Sequence, residues 1–413
     1  MRGKLIGVLG VVLGVLGLAF GGAALRRSNP ESTSSPDNTS APATRPADTT
    51  SLQPRARAAA GERGRLSIDG SVFHDETGAI WQYRGFSDFL LYQKFLTGSD
   101  LGPILEERAA LGANVVRVLG MVTSFSHFHP QEHANYYNQL PAFAARLGEY
   151  GLRVEFVVFA DAQIIMPVRS DQERHIDLVV EKLASSWNVL VEVCNEPFKN
   201  IPGGEQTAFE LGQRVRGRGL LIASGAYADS PASRTLDYGT THTARDEEWP
   251  RRAKDILDLR DATKVPWVAD EPIGANEVDR PGSRASSPDE FAWYGAAAAL
   301  MGTGATFHSD SGVRSAPLDP TESACARAFF FAIRWVPAEA QTWPYQRGDA
   351  GSEAGIGNMP ILHNDSSELR SYCKSRGAEA YCVQVRTKRE HATPRDGWKI
   401  KSEPRRGFVA LTR

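Results

Sequence analysis

The feature that most constrains the fold is an alternation of short β-type runs with longer segments of helical spacing, between about residues 81 and 335. The β-type runs are mostly apolar, which is typical of strands that are buried on both faces of a parallel sheet. Between most of them, apolar residues recur at helical spacing. The candidate strands are WQYRGF (81–86), NVVRVLG (114–120), LRVEFVVFA (152–160), NVLVEVC (188–194), LLIAS (220–224), TLDYGTTH (235–242), VPWVAD (265–270) and GATFHS (304–309).

Eight candidate strands that alternate with helices predict an α/β fold, the (β/α)8 TIM barrel, which takes about 250 residues. A doubly wound open sheet is the alternative, and it is disfavoured because no glycine-rich phosphate loop follows an early strand. Ahead of the barrel, turn signals at DG and ETG within residues 64–86 predict a β-hairpin that leads into the first strand. Residues 371–387 and 397–412 predict a small β-rich extension.

The N-terminal residues differ sharply from the rest of the chain. Arg2 and Lys4 precede an uncharged, mostly apolar run over residues 5–25, which predicts either a cleaved signal peptide or an uncleaved membrane anchor. Residues 28–55 are rich in Ser, Thr, Pro, Asn and Asp, so they predict a disordered linker. Either reading of the apolar run indicates a secreted, periplasmic or cell-surface protein, with residues 5–25 as a possible tether.

The predicted organisation therefore has four parts. They are a signal peptide or anchor (1–27), a linker (28–60), a barrel domain (61–340) and a loop and β-rich extension (341–413). Cys373 and Cys382 have the spacing of a bridge across a hairpin, and a disulfide is favoured there over free thiols. A net charge of −2 gives no reason to expect a nucleic acid partner, and oligomeric state is left open.

Polar residues collect where the predicted strands end, which in a barrel is the rim of the substrate cleft. Strand two contains Arg117, strand four ends in Asn195 and Glu196, and strand seven ends in Asp270 and Glu271. The other strand-end candidates are His242 after strand six, His308 and Asp310 at strand eight, and Asp161 and Gln163 after strand three. Two carboxylates that face each other across a barrel are the equipment of glycoside hydrolysis, in which one protonates the leaving oxygen while the other attacks the anomeric carbon or activates water.

The motifs VEVCNEPF and PWVADEPIG, together with Arg117, His242 and the lead-in over residues 69–86, resemble clan A glycoside hydrolases, closest in style to glycoside hydrolase family 5. The resemblance covers about residues 65–315. It implies a retaining hydrolase with Glu196 as general acid/base and Glu271 as nucleophile, with Asp270 as the substitute if strand seven is shifted by one residue.

The same resemblance implies roles for the residues around the pair. Asn195 would bind the sugar hydroxyl beside the anomeric carbon, Arg117 would keep Glu271 ionised, and His242 would line the cleft. Further candidate substrate contacts are His308 and two sugar-stacking rings, Trp249 and Trp343. No cofactor is implied, and for His127, His129 and His133 a solvated loop is favoured over a metal site because no carboxylate–histidine helix motif accompanies them.

Two alternatives stay open. Relatives of this kind usually carry an aromatic residue where this chain has Ala244, and a tryptophan at the end of strand eight where it has Phe307 and His308. These departures keep open a carbohydrate-binding protein that has lost turnover. A transglycosylase that uses the same two carboxylates is equally compatible with the sequence.

Overall fold

The computed structural model describes residues 64–225, 235–242, 249–271, 274–275, 287–345, 362–363, 370–385, 393–394, 397–405 and 408–413. The predicted signal or anchor segment and the predicted linker lie outside these residues. None of the described helices combines the length and the apolar character that a membrane span requires. The domain boundaries drawn from the sequence therefore stay predictions.

A small antiparallel sheet closes the N-terminal end of the barrel. Its strands are β1 (Ser67–Asp69), β2 (Val72–His74) and β3 (Ile80–Trp81), in the order β1-β2-β3. The ring of Phe73 is fully buried and meets Tyr238 edge-on at 5.7 Å between ring centroids. The predicted lead-in hairpin is thus present, and its apolar face is part of the core inside the barrel.

Eight parallel strands form the barrel itself. In chain order they are β4 (Tyr83–Ser87), β5 (Val115–Leu119), β6 (Arg153–Phe159), β7 (Val189–Cys194), β8 (Leu221–Ala223), β9 (Gly239–His242), β10 (Trp267–Glu271) and β12 (Gly304–Ser309). A short strand, β11 (Gly274–Ala275), pairs with β12. Their order is β8-β7-β6-β5-β4-β12-β10-β9, so the first and eighth strands are neighbours. This pairing rules out the open doubly wound sheet and confirms the predicted barrel.

Asp237 connects the regions of β8 and β9, the two strands at the ends of this order. Its backbone N–H donates to the carbonyl of Ile222 at 2.9 Å, and its Oδ2 accepts the N–H of Ile222 at 2.9 Å. A side chain therefore supplies part of the connection between β8 and β9. Residues 226–234, which link these strands, lie outside the described part of the chain.

Helices cover the outside of the barrel, and several begin or end at sequence signals. Ser287 with Glu290 and Asp319 with Glu322 form complete capping boxes at two helix starts, and Gly112 ends another helix in the left-handed conformation at φ 107°. The helices are α1 (Leu91–Leu96), α2 (Gly102–Leu111), α3 (Tyr136–Gly148), α4 (Ala162–Ile165), α5 (Arg169–Leu183), α6 (Pro197–Asn200), α7 (Gly204–Val215), α8 (Trp249–Thr263), α9 (Pro288–Met301), α10 (Asp310–Val313) and α11 (Pro320–Trp335).

The C-terminal extension is an antiparallel sheet, as the sequence predicts. Its strands are β14 (Arg370–Arg376), β15 (Glu379–Val385), β17 (Lys399–Arg405) and β18 (Phe408–Thr412), in the order β14-β15-β18-β17, and a separate pair joins β13 (Leu362–His363) to β16 (Thr393–Pro394). A disulfide between Cys373 and Cys382 links β14 to β15, which confirms the favoured pairing.

The junction between this sheet and the barrel is aromatic. The ring of Trp335 in α11 lies 5.3 Å from that of Tyr381 and 5.6 Å from that of Phe408. Trp343, predicted as a sugar-stacking ring, is 5% exposed and packs 5.7 Å from Tyr381. That prediction is wrong, because the Trp343 ring belongs to the junction core and presents no open face to a cleft.

Candidate active site

The inward-facing side chains of the barrel change from apolar to charged within one pleat. Val115, Leu190 and Val268 belong to the apolar cluster at the N-terminal end of the barrel. Because side chains of a strand return to the same face every second residue, the next inward positions are Arg117, Glu192 and Asp270. All three of these charged side chains are fully buried.

The Arg117 guanidinium is the centre of this charged layer. Its Nε and Nη2 donate to the two oxygens of Glu192 at 2.8 and 2.9 Å, and its Nη1 donates to Glu271 Oε1 at 2.8 Å. Nη2 also donates to Asn195 Oδ1 at 2.9 Å, and Asp270 Oδ2 lies 3.3 Å from Nε. One arginine thus pairs with and orients carboxylates from strands four and seven at once.

Glu155 on β6 completes the buried layer. Its two oxygens accept hydrogen bonds from the hydroxyls of Tyr83 at 2.6 Å and Tyr238 at 2.8 Å. Burial, followed by the negative charge of Asp270, raises the pKa of Glu155 from 4.5 to about 7. Burial likewise raises the pKa of Glu192 well above its ordinary value, although Arg117 opposes the shift.

Glu196 stands above this layer, at the start of the cleft. Its backbone is in the left-handed region at φ 40°, immediately before Pro197 opens the single-turn helix α6. This conformation turns the side chain out of the strand direction, and its Oε2 lies 2.9 Å from the Lys199 ammonium. Burial raises the pKa of Glu196, but the hydrogen bond and charge of His242 and the hydrogen bond of Lys199 outweigh burial, so the pKa is lowered from 4.5.

Glu271 reaches the same space because β10 contains an irregularity. The pairing of β10 with β9 shifts between Ala269 and Glu271, so the strict alternation of faces is broken there. Asp270 therefore points into the buried layer while Glu271, the next residue, also faces the centre and contacts Arg117. The sequence analysis gives Asp270 only as the substitute for Glu271; in the structure Glu271 lines the cavity and Asp270 is fully buried.

His242 at the end of β9 lies between the two glutamates. Its Nδ1 is 3.7 Å from Glu196 Oε1 and 3.8 Å from Glu271 Oε2, and its Nε2 is 3.5 Å from Asp270 Oδ2. The distance between Glu196 Oε1 and Glu271 Oε2 is therefore at most the sum of their distances from His242 Nδ1. Burial lowers the pKa of His242, but the charges of Glu271 and Asp270 outweigh it and raise the pKa well above 6.5.

These groups open onto a cavity of about 480 Å³ at the C-terminal end of the strands. Glu196, Glu271 and Asn195 are in its wall. His308 is also in the wall, where its Nδ1 is 3.1 Å from Ser87 Oγ. The remaining lining residues are Phe89, Leu119, Val122, Ser124, Phe125, Ala160, Asp161, Gln163, Lys199, Asn200, Asp310, Val313 and Arg314.

Most of the predicted site residues thus meet at one place. Arg117, Asn195, Glu196, His242, Glu271 and His308 do so, and Asp161, Gln163 and Asp310 line the same cavity. The Asp161 carboxylate accepts the N–H groups of Thr123 and Ser124 at 2.9 and 2.8 Å, so it also holds the loop after β5. Trp249 begins α8 but its side chain lies outside the described residues, as does all of Ala244.

Three residues that shape the site were not predicted from the sequence. Glu155 and Glu192 lie inside apolar strands, and the signal that could have found them is a single carboxylate at an inward position of an otherwise apolar run. Lys199 follows Glu196 by three residues, and its role depends on the one-turn helix α6 that brings it back to the carboxylate.

Glu192, His242 and Asp270 each offer a ligand atom, all within 4.8 Å of one another. The position of the Arg117 guanidinium, 2.8 Å from Glu192 and 3.3 Å from Asp270, accounts for this gathering without a metal ion. A cation bound between these carboxylates would have to displace a buried arginine that is already paired with them.

Solved structures of other proteins share the fold of this chain. A glycoside hydrolase family 5 structure from Bacteroides vulgatus matches with a TM-score of 0.54 and 13% identity over 80% of this chain and 82% of the other. A second structure, described as a glycoside hydrolase, matches with a TM-score of 0.54 and 12% identity over 77% and 83% of the two chains. No protein-family model and no curated protein sequence matches the chain. The resemblance to glycoside hydrolase family 5 is thus confirmed for the fold.

The buried carboxylate of Glu155 generates a prediction about stability. Because its pKa rises to about 7 on folding, the stability that this group contributes is present below about pH 4.5 and is lost as pH rises through about 7. We expect Glu155→Gln to gain stability relative to the parent as pH rises from about 5 to about 8. Urea unfolding of both proteins at each pH measures this difference. Glu149→Gln, at a carboxylate whose side chain is 47% exposed, is the matched control and should keep a constant offset; a constant offset for Glu155→Gln would contradict the prediction.

Proposed function

We propose that the chain is a retaining glycoside hydrolase that cleaves O-glycosidic bonds in a poly- or oligosaccharide. The observation that carries the proposal is the pair Glu196 and Glu271, on strands four and seven, which share His242 as a neighbour at 3.7 and 3.8 Å in the wall of one cavity. The shared fold with a family 5 glycoside hydrolase supports the same reaction class. Two carboxylates with different surroundings are what this chemistry needs.

In the proposed reaction, Glu271 attacks the anomeric carbon while Glu196 donates its proton to the glycosidic oxygen, and the C–O bond to the leaving group breaks. Glu196 then removes a proton from water, the water oxygen attacks the anomeric carbon, and the ester to Glu271 is released. The hydrogen bond from Arg117 at 2.8 Å favours an ionised, correctly oriented Glu271. Because the Asn195 oxygen faces Arg117, its NH₂ group is left to donate to a sugar hydroxyl.

We also propose that the enzyme works outside the cytoplasm. The apolar residues 5–25 behind two basic residues, the linker composition of residues 28–55 and the Cys373–Cys382 disulfide all favour an exported protein. Protease added to intact cells that express the full chain should degrade the barrel if it lies at the cell surface, and osmotic release should free it if it is periplasmic. Recovery only with cytoplasmic markers would contradict export.

The catalytic assignment is tested by kinetics on a substrate found in a panel of neutral and acidic polysaccharides. We expect Glu196→Gln to lower kcat by about 10²–10⁴-fold, the usual contribution of a general acid. Glu271→Ala should abolish the ester intermediate, and added azide should restore turnover with an inverted glycosyl azide as product. Glu210→Gln, on the exposed face of α7, is the matched control and should retain parental activity.

Residual activity within about tenfold of the parent in Glu196→Gln would refute its role as general acid. A parent protein that binds glycans without turnover, and keeps binding them in both variants, would favour the non-catalytic alternative. Synthesis of longer products at high donor concentration would instead identify a transglycosylase that uses the same carboxylates.

The Lys199–Glu196 contact makes a separate prediction about pH. Glu196 must be protonated for the first step, and Lys199 contributes to the lowered pKa of that carboxyl. Removing the ammonium in Lys199→Met should raise the pKa of Glu196 and move the high-pH limb of kcat/KM to higher pH. Lys199→Arg keeps the charge and should leave the limb near its parental position. A limb that moves equally in both variants, or in neither, would contradict the assignment.

A further inference from the structure

The loop after β5 contains a cluster of side chains that the proposed reaction does not use. His127 Nε2 lies 3.0 Å from both oxygens of Glu132, and His129 Nδ1 lies 3.3 Å from Glu132 Oε1. These three residues each offer one atom that could bind a metal ion, and the three atoms all lie within 4.8 Å of one another. The sequence alone favoured a solvated loop here, because the ligands are not arranged on a helix.

We propose that His127, His129 and Glu132 form a site for a divalent cation of the borderline class, with Zn²⁺ as its best representative. Ligand atoms around one tetrahedral zinc lie about 3.3 Å apart, given metal–ligand distances of about 2.0–2.1 Å. The spacings of 3.0 and 3.3 Å are close to that value. Two imidazoles in a set of three favour zinc over calcium or magnesium, which take oxygen ligands. Three protein ligands leave a fourth position for water.

The backbone of the loop holds the three ligands in this arrangement. Phe128, between the two histidines, is fully buried, and its N–H and carbonyl both pair with Val122, at 2.9 and 3.0 Å. Extended backbone at His129 places His127 and His129 on the same side of the chain. A 3₁₀ turn over Pro130–Glu132 then returns the carboxylate towards them, with the Glu132 N–H donating to the His129 carbonyl at 3.0 Å.

The side chains also differ in a way that suits an open site. His127 is 68% exposed and Glu132 is 47% exposed, so an ion can reach them from solvent, while His129 is 16% exposed. His129 Nε2 is buried, which leaves Nδ1 as the nitrogen that faces the cluster. His133, adjacent to Glu132, instead packs its ring against Phe128 at 5.4 Å and lies outside the cluster.

The site lies close to the cleft along the chain. Phe125, two residues before His127, is 47% exposed and lines the cavity that contains the carboxylate pair. Gln93 ties the same loop to α1, since its Nε2 donates to the His127 carbonyl at 3.0 Å and its Oε1 accepts from Ser126 at 2.8 Å. A bound ion would therefore fix the segment that carries an apolar wall of the cleft.

Zinc binding is tested on the full chain, purified without a histidine tag and treated with chelator. Titration calorimetry with Zn²⁺ should give one ion per chain, and binding should release protons to the buffer if a ligand is protonated in the free protein. His127→Ala and Glu132→Gln should each weaken binding by about 100-fold or more, since even an outer-shell partner contributes about 10–100-fold. His133→Ala is the matched control, a histidine in the same loop, and should bind like the parent.

Zinc binding is measured without any use of hydrolytic activity. The zinc site and the proposed function are therefore tested separately. No stoichiometric binding by the parent, or equal loss in His127→Ala and His133→Ala, would overturn the site. The His–carboxylate contacts would then be hydrogen bonds alone. Thermal unfolding of each variant without added metal checks that lost binding is not lost folding.

Discussion

The ion-pair network of Arg117 is the interaction on which the interior of this barrel depends. Buried carboxylates at Glu155, Glu192 and Asp270 would each be costly in a low-dielectric interior unless they are paired or protonated. Arg117 contacts Glu192 with Nε and Nη2 and Glu271 with Nη1, and its Nε also lies 3.3 Å from Asp270, so a single cation offsets charge from two strands. The carboxyl of Glu155 instead accepts hydrogen bonds from two tyrosine hydroxyls, and its raised pKa favours the uncharged form. Arg117, which offsets the buried negative charge, also holds Glu271 in place. Stability and the proposed chemistry therefore depend on the same side chain.

Local departures from regular structure then aim the two cleft carboxylates. A barrel strand directs only alternate residues inward, and Glu271 reaches the cleft by breaking that rule. Glu196 instead lies two residues beyond the end of β7, with its backbone in the left-handed region. The left-handed conformation of Glu196 costs about 1–2 kcal/mol for a residue with a side chain. The irregularity in β10 leaves part of the ladder unpaired. Irregularities of this kind persist where surrounding structure holds them, and they gather at functional sites.

Periodicity and strand ends were enough to predict the barrel, the lead-in hairpin, the C-terminal sheet and the strand positions of Arg117, Glu196 and Glu271. What could not be predicted depends on contacts across the barrel. Nothing local to Glu192 indicates that it pairs with Arg117, 75 positions away in the chain. That Asp270 and Glu271 both face the centre of the barrel could not be predicted, because strict alternation does not hold at an irregular strand end. Trp343 was misassigned because an aromatic side chain looks the same in sequence whether it packs a junction or faces a cleft.

The surroundings of Glu196 bear on how one carboxyl could serve as acid and then as base. In the resting site burial and the negative charge of Glu271 raise the pKa of Glu196, while His242 and Lys199 lower it. In the proposed reaction, ester formation removes the charge of Glu271 and with it the influence that favours a proton on Glu196. The pKa of Glu196 would therefore fall after the first step, when the mechanism requires a base. His242 lies 3.7 Å from Glu196 and 3.8 Å from Glu271, so the same imidazole ring is next to both carboxyls. In the proposed mechanism, the reversal of role would follow from which carboxyl carries the negative charge, without movement of either strand.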